Sequence, residues 1–191
     1  MTKYIIGLTG QAGSGKTFAA DKLSQKLDFE YIDLDRIGHE LLTKDDVINE
    51  ICKLFGRELL DNNKINRKKL ADIVFADQLK LDQLNLIMHP LIKEEAQFKI
   101  KSTNHSIILI VGALLDEIKL ISICNKIITI TPDTKEHQEF LGEKKRVIKH
   151  QRNMKFYESN ADFVIFNDFR KQFIDKFINL VQNLIQEHST L

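Results

Sequence analysis

The chain has 191 residues, 43% of them hydrophobic, and 28 Lys and Arg set against 27 Asp and Glu leave a net charge of +1. That length supports one substantial core, read as a single domain over 1–191, while the balanced and interspersed charge excludes an electrostatic footprint for duplex nucleic acid or an anionic membrane. Cys52 and Cys124 have neither metal-ligand nor disulfide spacing and read as reduced core residues. With no cleavable leader pattern and no apolar run of membrane-spanning length, the expectation is a soluble, cytoplasmic protein.

Tyr4 to Thr9 is an apolar run of strand length, and Phe18 to Leu27 repeats its apolar residues at helical spacing. Between them Gly10-Gln-Ala12-Gly13-Ser14-Gly15-Lys16-Thr17 fits G-x-x-x-x-G-K-[ST] at every fixed position. Glycines without a Cβ let such a turn aim several backbone N–H groups at one anion, with the positive end of the following helix behind them. Lys16 reaches phosphate oxygens as a cation, and the hydroxyl of Thr17 is a hard oxygen suited to Mg2+. A plain strand-to-helix turn explains the glycines but not the adjacent Lys-Thr.

Phe29 to Asp33 reads as a second strand, and a helical pattern over Arg36 to Leu42 follows. Asp33 and Asp35 stand at the strand's carboxyl end, where an open parallel sheet puts its ligands. Asp33 is a candidate for organising Mg2+ waters. Asp35 has two readings, a base for an attacking hydroxyl or an ordinary helix N-cap.

The middle third, Asp45 to Ser102, is helical in period without a convincing strand. Its apolar stripes are Val47, Ile51, Leu54 and Phe55; Leu70, Ile73, Val74 and Phe75; and Leu81, Leu84, Ile87 and Met88. Gly56 to Asn66 between the first two is polar and turn-rich. Arg67 begins a helix, where a cation opposes the dipole and suits an anionic or hydroxyl ligand better than it suits local stability. His89-Pro90 is also what a chain places at a helix start, so both residues carry a structural reading beside the functional one.

Ser106 to Val111 is a continuous apolar run suited to a central parallel strand beside the first. It leads into a loop carrying Asp116 and Glu117. Lys126 to Thr131 is a fourth strand stopped by Pro132, and Phe163 to Asn167 is a fifth. Between them Asp133 to Asn160 crowds Lys144, Lys145, Arg146, Lys149, His150 and Arg152. That run is either a solvated face or a cationic lid that closes on a transferring phosphoryl group. Phe173, Ile174, Phe177, Ile178, Val181, Leu184 and Ile185 mark a terminal helix docked by one face. Strand and helix signals thus alternate around a parallel sheet, and the class is α/β with helices on both faces.

Taken together these residues resemble the dephospho-CoA kinase family. The shared features are Ile6-Gly-Leu-Thr-Gly10 with Gly13 to Thr17; Ile32-Asp-Leu-Asp35 and His39; Asn66-Arg67 with Leu70 and Val74-Phe75; Leu84-Asn85 with His89-Pro90; Leu114-Leu115 with Glu117; Gln151; and Ala161-Asp162 with Ile165 and Asn167. The resemblance implies a three-layer P-loop kinase fold on a five-stranded parallel sheet. Its core would be about 1–35, 103–132 and 161–191, with a helical acceptor-binding insertion over about 36–102 and a short lid over about 133–160. It implies transfer of the γ-phosphoryl of ATP, with Mg2+, to the 3'-hydroxyl of dephospho-CoA, the last step of coenzyme A synthesis. Asp35 would be the base and Lys16 the phosphate cation. Gly10, Ala12, Gly13, Ser14, Gly15, Lys16, Thr17 and Asn167 would bind ATP, with Asn167 near its base, and Arg146 is counted with them only as a cation standing in for the family's lid arginines. Asp35, Arg67, His89 and Glu117 would hold the acceptor, and Thr17 and Asp33 the metal.

Two features depart from the family's pattern. Ala113 stands where the family has Pro before its Leu-Leu pair. More seriously, His137-Gln-Glu-Phe-Leu141 falls where a lid arginine pair is expected, leaving Arg146 or Arg152 as the replacement cation and predicting reduced turnover. Two other readings compete. One is another small-acceptor kinase, of the nucleoside or nucleoside-monophosphate type; the other is an ATP-binding regulator with a degraded lid.

Overall fold

A computed structural model of the chain describes residues 3–133, 137, 141 and 145–190. Five strands form one parallel sheet: β1 Tyr4–Thr9, β2 Glu30–Asp33, β5 Ile107–Val111, β6 Lys126–Pro132 and β7 Phe163–Asn167, in the order β2-β5-β1-β6-β7. The Ile107–Val111 run lies beside the first strand, as its continuous apolar character requires. β6 extends through Pro132, which has no N–H to donate, and the next ladder bond comes from Asp133 N to Asn167 O at 2.8 Å.

Alternation along the strands sorts the side chains to two faces. Tyr4, Ile6, Leu8, Leu109, Val111, Ile128, Ile130 and Ile165 pack with Ala19, Ala20 and Leu23 of α1 (Lys16–Ser24) and with Phe173, Phe177, Ile178, Val181 and Leu184 of the terminal helix, Lys171–Ser189. Phe177 is wholly buried, and it anchors that helix by the face its spacing marks. On the opposite face Gly7 leaves room where a Cβ would come within 2.8 Å of Ile127 Cδ1 and 3.0 Å of Cys124 Sγ. Neither cysteine is in a disulfide, and burial pushes the Cys124 thiol up to about 12.

The chain divides into two compact units, Met1–Asp33 with Lys99–Leu191, and Leu34–Phe98. The second is built from α2 (Leu34–Leu41), α3 (Asp45–Phe55), α4 (Arg67–Val74) and most of α5 (Gln78–Ser102). The expectation of no strand here is corrected in one place. Leu60–Asp61 (β3) and Lys64–Ile65 (β4) pair as an antiparallel hairpin, turned by Asn62 and Asn63 at φ 51° and 61°. Two successive residues with positive φ are what a type I′ turn needs, and asparagine tolerates that region.

His89-Pro90 is also corrected as a helix start, because Pro90 lies inside the 25-residue α5. Its ring costs the bond to Leu86 four residues back, but both residues lie on the exposed face, where water can satisfy the freed carbonyl. No helix among the described residues is long and apolar enough to cross a membrane.

Candidate active site

The phosphate-binding loop lies between the carboxyl end of β1 and α1. Gly10, Gly13 and Gly15 have φ of 133°, 78° and 100°. A Cβ on Gly15 would stand 2.5 Å from Asn167 Nδ2, and one on Gly10 would stand 2.5 Å from Ile130 O. The helix starts at Lys16, earlier than the apolar spacing suggested, so Lys16 and Thr17 occupy its positive end.

Each peptide of the loop has a partner. Lys16, only 7% exposed, donates through Nζ to Gly10 O and Gln11 O, each at 2.8 Å. On the other side of the Gln11-Ala12 peptide, Ala12 N donates to Gln151 Oε1 at 2.8 Å. Ala12 O accepts from His137 Nε2 at 2.9 Å, and Ser14 O accepts from Asn167 Nδ2 at 2.8 Å. Gln11 Nε2 donates to Arg152 O at 3.0 Å. The amides of Gly13 and Gly15 have no protein acceptor among the described residues. A buried ammonium inside the loop, beside unclaimed N–H groups at a helix N-terminus, fits a polyphosphate. Ser14 Oγ is fully buried without a partner, packed toward Gly10.

The other expected site residues take these places. Asn167 is 2% exposed, and its Oδ1 accepts from Phe169 N at 2.8 Å, so its amide secures the chain on both sides of the sheet end. Asp33, half-buried at the end of β2, accepts from the Tyr31 hydroxyl at 3.3 Å. Asp35 is exposed as the second residue of α2, inside the first turn and past the cap position. Glu117 is half-buried with Oε2 unpartnered, and burial, then the nearby Asp116, raises its carboxyl above the usual range against the pull of Arg152.

In the second unit Arg67 is the exposed first residue of α4, capped by Asn66, whose side chain accepts from Lys68 N and Lys69 N at 3.0 Å. His89 is half-buried, which holds its imidazole below the ordinary value. Arg146 is exposed on a short helix, Lys145–Ile148. Arg152 lies over the Phe156 ring at 5.1 Å. Lys144 lies outside the described residues.

His137 and Gln151 have contacts with the loop that no local pattern announces. Each is more than 120 residues from its partner in sequence, and only the fold brings them there.

A parallel sheet in this order, with the glycine loop, Lys16 and Thr17 opening α1, defines a P-loop kinase. Similarity narrows the class. A family model described as dephospho-CoA kinase matches residues 4–172. A dephospho-CoA kinase of Fusobacterium nucleatum is 35% identical over 178 residues, covering 88% of this chain and 91% of that one. Among solved structures, a protein from Thermus thermophilus aligns with TM-score 0.78 at 19% identity over 98% of each chain. Dephospho-CoA kinase from Campylobacter jejuni aligns with TM-score 0.63 at 23% identity, over 98% of this chain and 100% of that one. The chain belongs to the dephospho-CoA kinase family.

Proposed function

We infer that the chain moves the γ-phosphoryl group of ATP onto the ribose 3'-hydroxyl of dephospho-CoA, giving coenzyme A and ADP. The observation that carries this reading is the loop itself: Lys16 Nζ sits inside it on two carbonyls, beside unclaimed amides at the start of α1. The 3'-oxygen attacks the γ-phosphorus, the bond to the bridging oxygen of ADP breaks, and the hydroxyl proton passes to Asp35. Its exposure and its place inside the first turn of α2, past the cap position, support Asp35 as that base rather than as a cap. Arg67, His89 and Glu117 hold the acceptor. A neutral His89 serves this as a hydrogen-bonding group without adding charge.

Among the described residues no group of three or more His, Cys, Asp or Glu side chains could cage a metal. Mg2+ fits the donors present all the same, since it is commonly held by one or two protein oxygens together with substrate phosphates and water. Thr17 Oγ1 and the Asp33 carboxylate would hold it, and it would supply charge neutralisation at the β- and γ-oxygens. The exposed Arg146 adds a lid cation, and Asn167 acts by securing the loop against which the nucleotide lies.

The test is incubation with MgATP and dephospho-CoA, reading coenzyme A by mass, beside Asp35→Asn. We expect product from the native chain and a loss of about 100-fold or more in kcat for the variant, with ATP binding retained. An active variant would remove Asp35 from the base role. ATP binding without product from the native chain would favour a regulator.

A further inference from the structure

We propose that His137 is a positioning residue for the phosphate loop, orienting the Ala12-Gly13 peptide so that Gly13 N–H faces the bound nucleotide. The inference rests on the reading of Gly10 to Thr17 as an ATP site, and adds a residue of the segment where this chain departs from the family's arginine pattern. His137 is only 7% exposed. Its Nε2 lies 2.9 Å from Ala12 O, and because a carbonyl can only accept, Nε2 carries the proton. In a planar trans peptide the C=O of one residue and the N–H of the next point in opposite directions. Fixing Ala12 O on the imidazole therefore turns Gly13 N–H away from His137, and no described protein group accepts it there.

Packing enforces the same orientation. Gly13 has φ 78°, and a Cβ on it would stand 3.1 Å from His137 Nε2 and 3.2 Å from Leu141 Cδ2. The ring and Leu141 thus lie directly over the glycine. Asn167 fixes the ring's origin as well as a second loop peptide. Its backbone O accepts from Asp133 N at 2.8 Å, and Asp133 O accepts from His137 N at 2.8 Å. Its side chain meanwhile holds Ser14 O and so turns Gly15 N–H in the same way. Two loop carbonyls are held by donors that both trace back to the end of β7. Where the family pattern has guanidinium groups reaching for phosphate, this chain has an imidazole acting through the loop's own amides.

Amides that grip the non-transferred phosphates do so equally before and during transfer, so losing one raises KM for ATP and leaves kcat nearly unchanged. The test compares His137→Leu and His137→Phe, which keep bulk without a donor, with His137→Gln, whose amide retains one. MgADP titration is the binding readout. We expect the donor-free variants to bind MgADP about 3–10-fold more weakly, the range of one neutral hydrogen bond, and His137→Gln to stay within about twofold. KM for dephospho-CoA should hold, and Tm should not separate the three variants.

Donor-free variants that bind MgADP as tightly as the native chain would overturn the proposal. So would a loss shared equally by His137→Gln, because packing would then be responsible. A native chain with no affinity for MgADP would instead overturn the phosphate-loop reading beneath it.

Discussion

Replacing Gly15 with alanine perturbs the loop at its tightest point. Gly15 has φ 100° and ψ 9° as the residue before α1, and holding an L side chain in left-handed backbone costs about 1–2 kcal/mol. The new Cβ would stand 2.5 Å from Asn167 Nδ2. Asn167 must then move, orphaning Ser14 O and loosening the Phe169 amide, for about 1–3 kcal/mol more. Gly15→Ala should therefore destabilise by about 2–5 kcal/mol, against a total of about 5–15 for a typical domain.

Urea unfolding measures the loss, and a double-mutant cycle with Asn167→Ala assigns it. With the amide gone, alanine at position 15 retains only its backbone strain, so the two losses should fall short of additivity by about 1–3 kcal/mol. Gly38→Ala is the control. Its Cβ would meet only Ile92 Cδ1, at an ordinary 3.5 Å, inside α2, and it should stabilise by about 0.5–1 kcal/mol. A loss below about 1 kcal/mol at Gly15, or strict additivity with Asn167→Ala, would refute the reasoning.

Two further outcomes are expected. The Glu117 carboxyl has a folded value raised above the ordinary 4.5, mainly by burial, so its contribution to stability is complete below 4.5 and lost as pH rises through the raised value. Glu117→Gln stays neutral throughout, so its urea midpoint should exceed the native one by a margin that grows from about pH 4 to about pH 7, while turnover falls; a constant margin would count against the burial argument. For the cationic segment, the Arg152 backbone is tied to the loop through Gln11, and Arg152→Ala should lower kcat by about tenfold or more, with Arg152→Lys between the two. If neither Arg152→Ala nor Arg146→Ala changes the ATP-dependent rate, neither arginine replaces the family's lid guanidinium groups.

What could be read from the sequence depended on the distance over which the cause acts. The five strands follow from apolar runs, and the loop from a pattern whose every position has a local reason. Boundaries moved where the end chemistry is subtle: Lys16 and Thr17 already belong to α1, although the apolar spacing begins only at Phe18. Asn62-Asn63 was a turn signal in plain view, but strands of two residues are too short for alternation to register. Pro90 misled because a helix interior tolerates proline when the broken bond faces water. The clamp's contacts had no local signature. Family resemblance singled out Gln151 and Asn167 but not what they hold, and His137 marked only a departure from the lid pattern, until the fold set all three against Ala12 and Ser14.

That clamp also orders events in time. Ser14 precedes Asn167 by 153 residues, and β1 lies between two strands, β5 and β6, from the second half of the chain. At synthesis rates of about 5–20 residues per second, the glycine turn waits about 8–30 s on the ribosome before the asparagine that steadies it has been made. A nascent chain halted anywhere short of β7 should carry the whole nucleotide motif and yet retain no nucleotide.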